Sequence, residues 1–293
     1  MKNLGFTILL VCLSVADLLS ALPGGVIKIK GSDTMKILSQ KWAEVYTNSH
    51  PGVSIKVSSG GTSVGFAALQ NTGATLADAS RRISAEEIIG CVQAFGKRPT
   101  EYKVALDGLS IYANKANPVQ VLTLEELGKI FSGQIKNWNE VGGPDAPIHV
   151  YGRESTSGTY ELLKEQVLRG HDFTRSARLM HGTAELLHAV ATDKNGIGYG
   201  GAAYRAGAKY ISIRKDAHSP AYEPTEDNVE NGVYPIWRYL YIYVNPALDK
   251  GQVTAYLDWI RSDQGQKIVR EVGYFPLPKY LQQNQTMPSL TQN

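Results

Sequence analysis

Two hydrophobic rhythms alternate along the chain. Short apolar, β-branched and aromatic runs fall at residues 26–30, 54–57, 102–113, 149–152, 196–200, 209–213 and 239–244. Between them apolar residues recur at helical spacing, as in 35–46, where Leu38, Trp42, Val45 and Tyr46 stand at i, i+4, i+7 and i+8. Residues 124–131 read as a helix opened by Thr123 with Glu126 three residues on. In that pairing each side chain takes one of the backbone N–H groups that a helix start leaves unpaired. Residues 160–168 and 252–269 read as further helices. Strands alternating with helices predict an α/β fold. Two runs are longer than the rest, 103–113 and 238–245, and a strand of that length can leave one sheet and enter another. If both do so, residues 22–110 and 240–293 form one lobe and 111–239 the other, joined by two crossover strands. Tracts rich in Gly, Pro and Asn at 114–118 and 231–235 flank the middle segment.

The first residues break this alternation. Lys2 precedes an apolar run from Phe6 to Val15, and Ser20-Ala21 supplies small residues for cleavage. This is the pattern of an export signal over residues 1–21, with the mature chain starting near Leu22. The run is too short to cross a bilayer, which takes about twenty apolar residues. Cys12 lies inside the run and not after a small residue at its end, which favours a free soluble protein over a lipid-anchored one. After cleavage only Cys91 remains, so no intramolecular disulfide is available and the fold must stand on its core. The excess of basic residues is mild, at +3, and is not clustered, which argues against nucleic-acid binding. The six histidines (His50, His149, His171, His181, His188 and His218) form no metal-ligand spacing with Cys or carboxylates.

Candidate chemistry concentrates in three turns of one design: a strand, then small hydroxyl and glycine residues, then a helix. They are Gly31-Ser32-Asp33-Thr34-Met35, Ser58-Ser59-Gly60-Gly61-Thr62-Ser63 and Gly152-Arg153-Glu154-Ser155-Thr156-Ser157-Gly158-Thr159. A helix start offers unpaired N–H groups and the positive end of the helix dipole. Ser and Thr hydroxyls add donors, Gly admits close approach, and Arg brings a fork that matches two oxygens of a phosphate-like group. A tetrahedral oxyanion needs donors from several directions, and three such turns supply them. A nucleotide-binding P-loop is excluded: Gly60 and Gly65 are correctly spaced, but Phe66 stands where that motif requires Lys. An enzyme is the competing class, because the same groups stabilise phosphoryl or acyl transition states. Against it, the sequence has no Gly-x-Ser-x-Gly elbow, no metal cluster and no candidate base beside Ser157, so no catalytic residue is expected.

From about Val26 to Tyr274 the chain resembles the periplasmic phosphate-binding proteins that feed bacterial phosphate ABC transporters. The Gly152–Thr159 segment carries the likeness most specifically. Support comes from the first turn, the Gly-rich 59–65, Ala79-Ser80-Arg81 and Asn195-Gly196-Ile197-Gly198-Tyr199. The resemblance implies the two-lobed type II binding-protein fold, two helix-flanked sheets joined by two crossover strands. It also implies capture of inorganic phosphate in the periplasm for a membrane permease, by a monomer without cofactor or metal. Its ligand contacts would fall on Thr34, Met35, Thr62, Arg81, Arg153, Ser157, Gly158 and Thr159, with Arg153 as charged anchor. One position departs. Well-known members carry an Asp where this chain has Arg81, and that Asp accepts the phosphate's proton and so rejects sulfate. With Arg81 in the cleft, two guanidiniums and no acceptor from that loop are expected, and sulfate or molybdate becomes an alternative ligand. Arg81 pointing to solvent, or paired with Glu86 or Glu87, is the other reading of that position.

Overall fold

A computed structural model describes residues 25–205 and 207–283; the export-signal reading of residues 1–21 lies outside them. Two sheets organise the chain. The first is built from β1 (Val26–Gly31), β2 (Ser54–Ser59), β3 (Leu76–Ala79), β4 (Thr100–Gly108) and a strand contributed much later in the sequence. Helices α1 (Lys36–Ser49), α2 (Thr62–Gln70) and α3 (Ala85–Phe95) connect its early strands. The second sheet takes β5 (Ser110–Ala113), β6 (Val121–Thr123), β7 (His149–Arg153), β8 (Arg178–Met180), β9 (Gly196–Gly200), β10 (Lys209–Arg214) and β11 (Ala221–Tyr222). It is interleaved with α4 (Leu124–Ser132), α5 (Gly158–Gln166) and α6 (Thr183–Thr192). After α7 (Glu226–Glu230) the chain returns to the first sheet as β12 (Trp237–Val244), then closes with α8 (Gln252–Arg261), α9 (Asp263–Val272) and α10 (Lys279–Gln283).

Strand order in the first sheet is β2-β1-β3-β12-β4, with β1 parallel to β2 and β3, and β12 antiparallel to β3 and β4. The second runs β11-β10-β5-β9-β7-β8, with β6 added beside β10. The long run at 102–113 does pass between sheets, but as two strands that part at Leu109, whose N–H donates to Ile236 C=O at 2.8 Å. Residues 237–239, expected in the second lobe, already pair with β4 in the first sheet. The helix expected over 252–269 is two helices. Ser262 is extended (φ −67°, ψ 166°), ends α8, and caps α9 by accepting from Gly265 N–H. The apolar periodicity runs across that break, which is why the sequence pattern merges them. The Thr123–Glu126 reciprocal cap is present at α4 as expected.

Each sheet has its own core. Leu38, Trp42, Tyr256, Leu257 and Ile260 pack on the first, and the Trp42 indole N–H donates to Gly265 C=O, tying α1 to α9. Phe131, Trp138, Leu163, Ile197 and Ile211 fill the second. A buried Leu contributes roughly 2 kcal/mol, so the sheets hold the turns at their edges on rigid supports.

Candidate anion-binding cleft

The three hydroxyl-rich turns all lie where a strand hands over to a helix, and the fold brings them to one place. The first follows β1 and opens α1. Gly31 has φ +146°, and an added Cβ there would sit 2.1 Å from Asp78 C=O, so only Gly lets β1 pass this close to β3. Ser32 N–H then donates to that same Asp78 carbonyl at 2.9 Å, and Met35 N–H to Ser32 C=O at 3.1 Å. The second turn is tied to the first by Gly61 N–H donating to Gly31 C=O at 3.0 Å. Gly61 has φ +102°, and its missing Cβ would fall 2.5 Å from Thr156 C=O of the third turn. Ser63 N–H closes that junction by donating to Thr156 C=O at 3.2 Å.

At the centre the hydroxyls meet. Thr34 Oγ1 and Thr159 Oγ1 are 2.8 Å apart, joining the first and third turns. Thr62 Oγ1 lies 3.3 Å from Ser80 Oγ and accepts from Ser80 N–H. Gly158 faces that second pair so closely that a Cβ would stand 2.6 Å from Thr62 Oγ1 and 2.9 Å from Ser80 Oγ. Thr34, Thr62, Ser80, Ser157 and Thr159 are all buried. Ser157 itself caps α5, its hydroxyl accepting from Thr159 N–H at 3.2 Å and Tyr160 N–H at 3.4 Å. Met35 is wholly buried in the first sheet's core, and its N–H donates within the turn to Ser32 C=O.

The two arginines singled out in the sequence sit beside this cluster, each against carboxylates. Arg153 is 2% exposed. Its Nη2 donates to Asp33 Oδ2 at 2.7 Å and to His181 C=O at 2.8 Å, its Nη1 to Thr183 Oγ1 and its Nε to Met180 C=O. Arg81 meets Glu87 through both Nη atoms, at 2.7 and 2.8 Å, and Glu161 through Nε at 2.5 Å. It also reaches Ser63 Oγ at 3.0 Å. Burial works against the Arg81 charge, but Glu87 and Glu161 outweigh it and hold its proton more firmly than usual. Burial raises the Glu161 pKa, and the opposing pull of Arg81 does not cancel that rise. Of the two readings of this position, the structure has Arg81 paired with Glu87, and adds Glu161 of α5 as a second carboxylate that the sequence did not point to.

A third guanidinium escaped the sequence reading. Arg238 on β12 lies directly opposite Asp107 on β4 in the strand register. Both are buried, and Arg238 Nε donates to Asp107 Oδ2 at 2.8 Å. Arg238 Nη1 reaches Ser80 C=O at 2.9 Å and Thr159 Oγ1 at 3.0 Å. No hydroxyl or glycine neighbours flag it in the sequence. Its signal is a basic residue on one predicted crossover strand and an acidic one on the other.

Known proteins share this architecture. A family profile described as a PBP superfamily domain matches residues 20–264. The phosphate-binding protein PstS of Pseudomonas aeruginosa is 35% identical over 264 residues, covering 85% of this chain and 82% of that protein. SphX of Synechococcus elongatus is 32% identical over 260 residues, covering 85% and 76%. Among solved structures, a candidate phosphate ABC transporter substrate-binding protein from Clostridium perfringens, with bound phosphate, superposes with a TM-score of 0.79 at 28% identity. It covers 87% of this chain and 100% of that one. An ABC-type phosphate transport receptor from Vibrio cholerae superposes at 0.69, also at 28% identity, covering 86% and 100%.

Proposed function

The chain belongs to the PBP superfamily, among the phosphate-binding receptors of ABC importers, and on that premise we propose how its cleft takes inorganic phosphate. It is a solute receptor and not an enzyme. Thr34, Thr62, Ser157 and Thr159 supply hydroxyl and backbone donors, with further backbone N–H groups from Met35 and Gly158, and the anion lies between the two sheets. The first lobe runs to residue 109 and resumes at 237, and 110–236 make the second, with β4, β5 and β12 as the connections about which the lobes close. Arg153 and Arg81 flank the anion from opposite sides. A membrane permease receives the ligand, and residues 1–21 direct export to the periplasm.

The observation that carries the reading is the burial of paired hydroxyls from three strand-to-helix turns, Thr34 with Thr159 across the two sheets and Thr62 with Ser80. Dipoles and neutral donors at helix starts bind an anion without a full counter-charge. Titration calorimetry with phosphate, sulfate and molybdate at matched ionic strength tests it. One-to-one phosphate binding, stronger than either competitor, is expected, with no turnover of p-nitrophenyl phosphate. Preference for sulfate or molybdate would transfer the site to another oxyanion. Hydrolysis abolished by Ser157→Ala would make the protein an enzyme after all.

A further inference from the structure

We infer that Arg238, which neither the hydroxyl-rich turns nor their motif contains, is the cation that touches the anion at the floor of the cleft. Asp107 is its positioning residue. The inference rests on the phosphate-receptor reading and names a residue that reading lacks.

Three guanidiniums border the hydroxyl cluster, and only one of them bonds to it. Arg153 spends its donors on Asp33, Thr183 and the carbonyls of Met180 and His181. Arg81 spends its own on Glu87, Glu161, Ser63 and the Arg82 carbonyl. Arg238 alone donates to a hydroxyl of the converging set, Thr159 Oγ1, which is itself 2.8 Å from Thr34 Oγ1. The same Nη1 holds the carbonyl of Ser80, whose hydroxyl meets Thr62. One guanidinium thereby holds a hydroxyl of the first pair and the backbone of a residue in the second.

Its remaining donors are poorly used. Arg238 Nη2 is 2.8 Å from Asp107 Oδ2, yet it is buried and in hydrogen-bond geometry with no acceptor. Buried donors without partners are uncommon and call for a reason. An oxyanion oxygen beside Thr159 supplies the missing acceptor. Asp107 fixes the fork: Oδ2 takes Nε, while Oδ1 accepts from Ala202 N–H of the second sheet's half at 2.8 Å. Because Asp107 and Arg238 stand opposite each other on β4 and β12, the cation sits where the two halves are joined. It therefore keeps its place whether the lobes are apart or together.

The test is phosphate titration calorimetry on the mature protein, with thermal unfolding as the check on folding. The double variant Arg238→Gln/Asp107→Asn removes both charges together, avoiding the stranded buried carboxylate that Arg238→Ala alone would leave. It is expected to melt within a few degrees of wild type and to bind phosphate at least about tenfold more weakly, since a charged hydrogen bond is at stake. Arg238→Lys keeps the charge but not the fork, and is expected to lose affinity while the apo protein stays folded. Wild-type affinity in either folded variant would overturn the inference and make Arg238 a strut between strands. If the double variant does not fold, Arg238→Lys decides alone. Phosphate binding by wild type tests the receptor reading separately: if wild type binds only sulfate or molybdate, that reading fails while the same variants still report on Arg238. Wild type that binds none of the three sinks both.

Discussion

The floor of the cleft and its two flanks handle polarity in opposite ways. At the floor, the neutral hydroxyls of Thr34, Thr62, Ser80 and Thr159 are buried and paired, Thr34 with Thr159 and Thr62 with Ser80. The ion pair beside them, Arg238–Asp107, is buried and joins strands of a single sheet. At the flanks, charge meets charge across the two halves. Arg153 of the second sheet reaches Asp33 of the first turn on one side, and Arg81 at the end of β3 reaches Glu161 of α5 on the other. Counting Glu87 and the Arg238–Asp107 pair, three guanidiniums stand against four carboxylates. The cleft therefore does not draw an anion by net positive charge. Hydroxyls turn to suit a ligand and are cheaper to desolvate than ions, which suits them to the centre. Ion pairs suit the rim, where solvent shares the cost: the Asp33 and Glu161 side chains are 12% and 36% exposed. Under the proposed reading, anion binding and lobe closure fall to different residues, and substitutions can separate them.

The largest effect is expected at the floor. Gly158→Ala places a methyl 2.6 Å from Thr62 Oγ1, 2.9 Å from Ser80 Oγ and 3.0 Å from Arg81 Cγ, so the third turn cannot seat against the second. Overpacking of this kind costs about 1–3 kcal/mol, or roughly five- to 150-fold in affinity. Calorimetry should show that loss, and small-angle scattering should show a variant that stays expanded when phosphate is added. Normal closure with normal affinity would mean that the turns do not meet in the liganded protein.

The first flank separates closure from anion contact most cleanly. If Arg153 serves closure through Asp33, then Arg153→Ala and Asp33→Ala should weaken phosphate binding to a similar degree. About 1.5–3 kcal/mol is at stake in a charged hydrogen bond, so tenfold or somewhat more is expected. Their double variant should cost little beyond either single change, because both remove one interaction. Stopped-flow binding should place the loss in the dissociation rate. If instead Arg153 lets go of Asp33 and clasps the anion, as the family resemblance implies, Arg153→Ala alone loses affinity and Asp33→Ala is nearly silent.

What the sequence disclosed about this site, and what it hid, follows the same division. The floor was legible because small hydroxyl residues and glycines between a strand run and a helix run have few structural uses. Thr34, Thr62, Gly158 and Thr159 do converge. Ser157 shows the limit of that logic, since a helix cap and an anion donor need the same side chain at the same spot. The flanks and the Arg238 pair were illegible because an ion pair is a fact of register. Asp107 and Arg238 are 131 residues apart in sequence and adjacent only after β4 and β12 pair. Arg81 and Glu161 are 80 apart and adjacent only in the fold, where the turn after β3 meets α5. The two-sheet layout came through because 103–113 was too long for one strand. Its break at Leu109 did not, because the apolar pattern passes through unaltered.

The smallest effect is expected at the second flank. Glu161 carries a pKa above its ordinary 4.5 because burial outweighs the attraction of Arg81. The sign follows from linkage. A carboxyl whose folded pKa is raised binds its proton more tightly in the fold than in the unfolded chain. Its contribution to stability is present below the ordinary carboxylate range and is lost as pH rises through the folded value. Near neutral pH this carboxylate is thus a mild burden on the folded chain, and Arg81 would still keep Glu87 if it were removed. Glu161→Gln should therefore leave stability at pH 8 unchanged or slightly higher. It should also tighten phosphate binding by no more than about threefold, in line with the small worth of partly exposed ion pairs. The ratio of wild-type to variant dissociation constants, taken at each pH, cancels the titration of phosphate itself. That ratio should be greatest at pH 8 and fall toward one as acid protonates Glu161. A Glu161→Gln protein that binds phosphate tenfold more weakly at pH 8 would show that the Arg81–Glu161 pair drives closure, and the second flank would then equal the first.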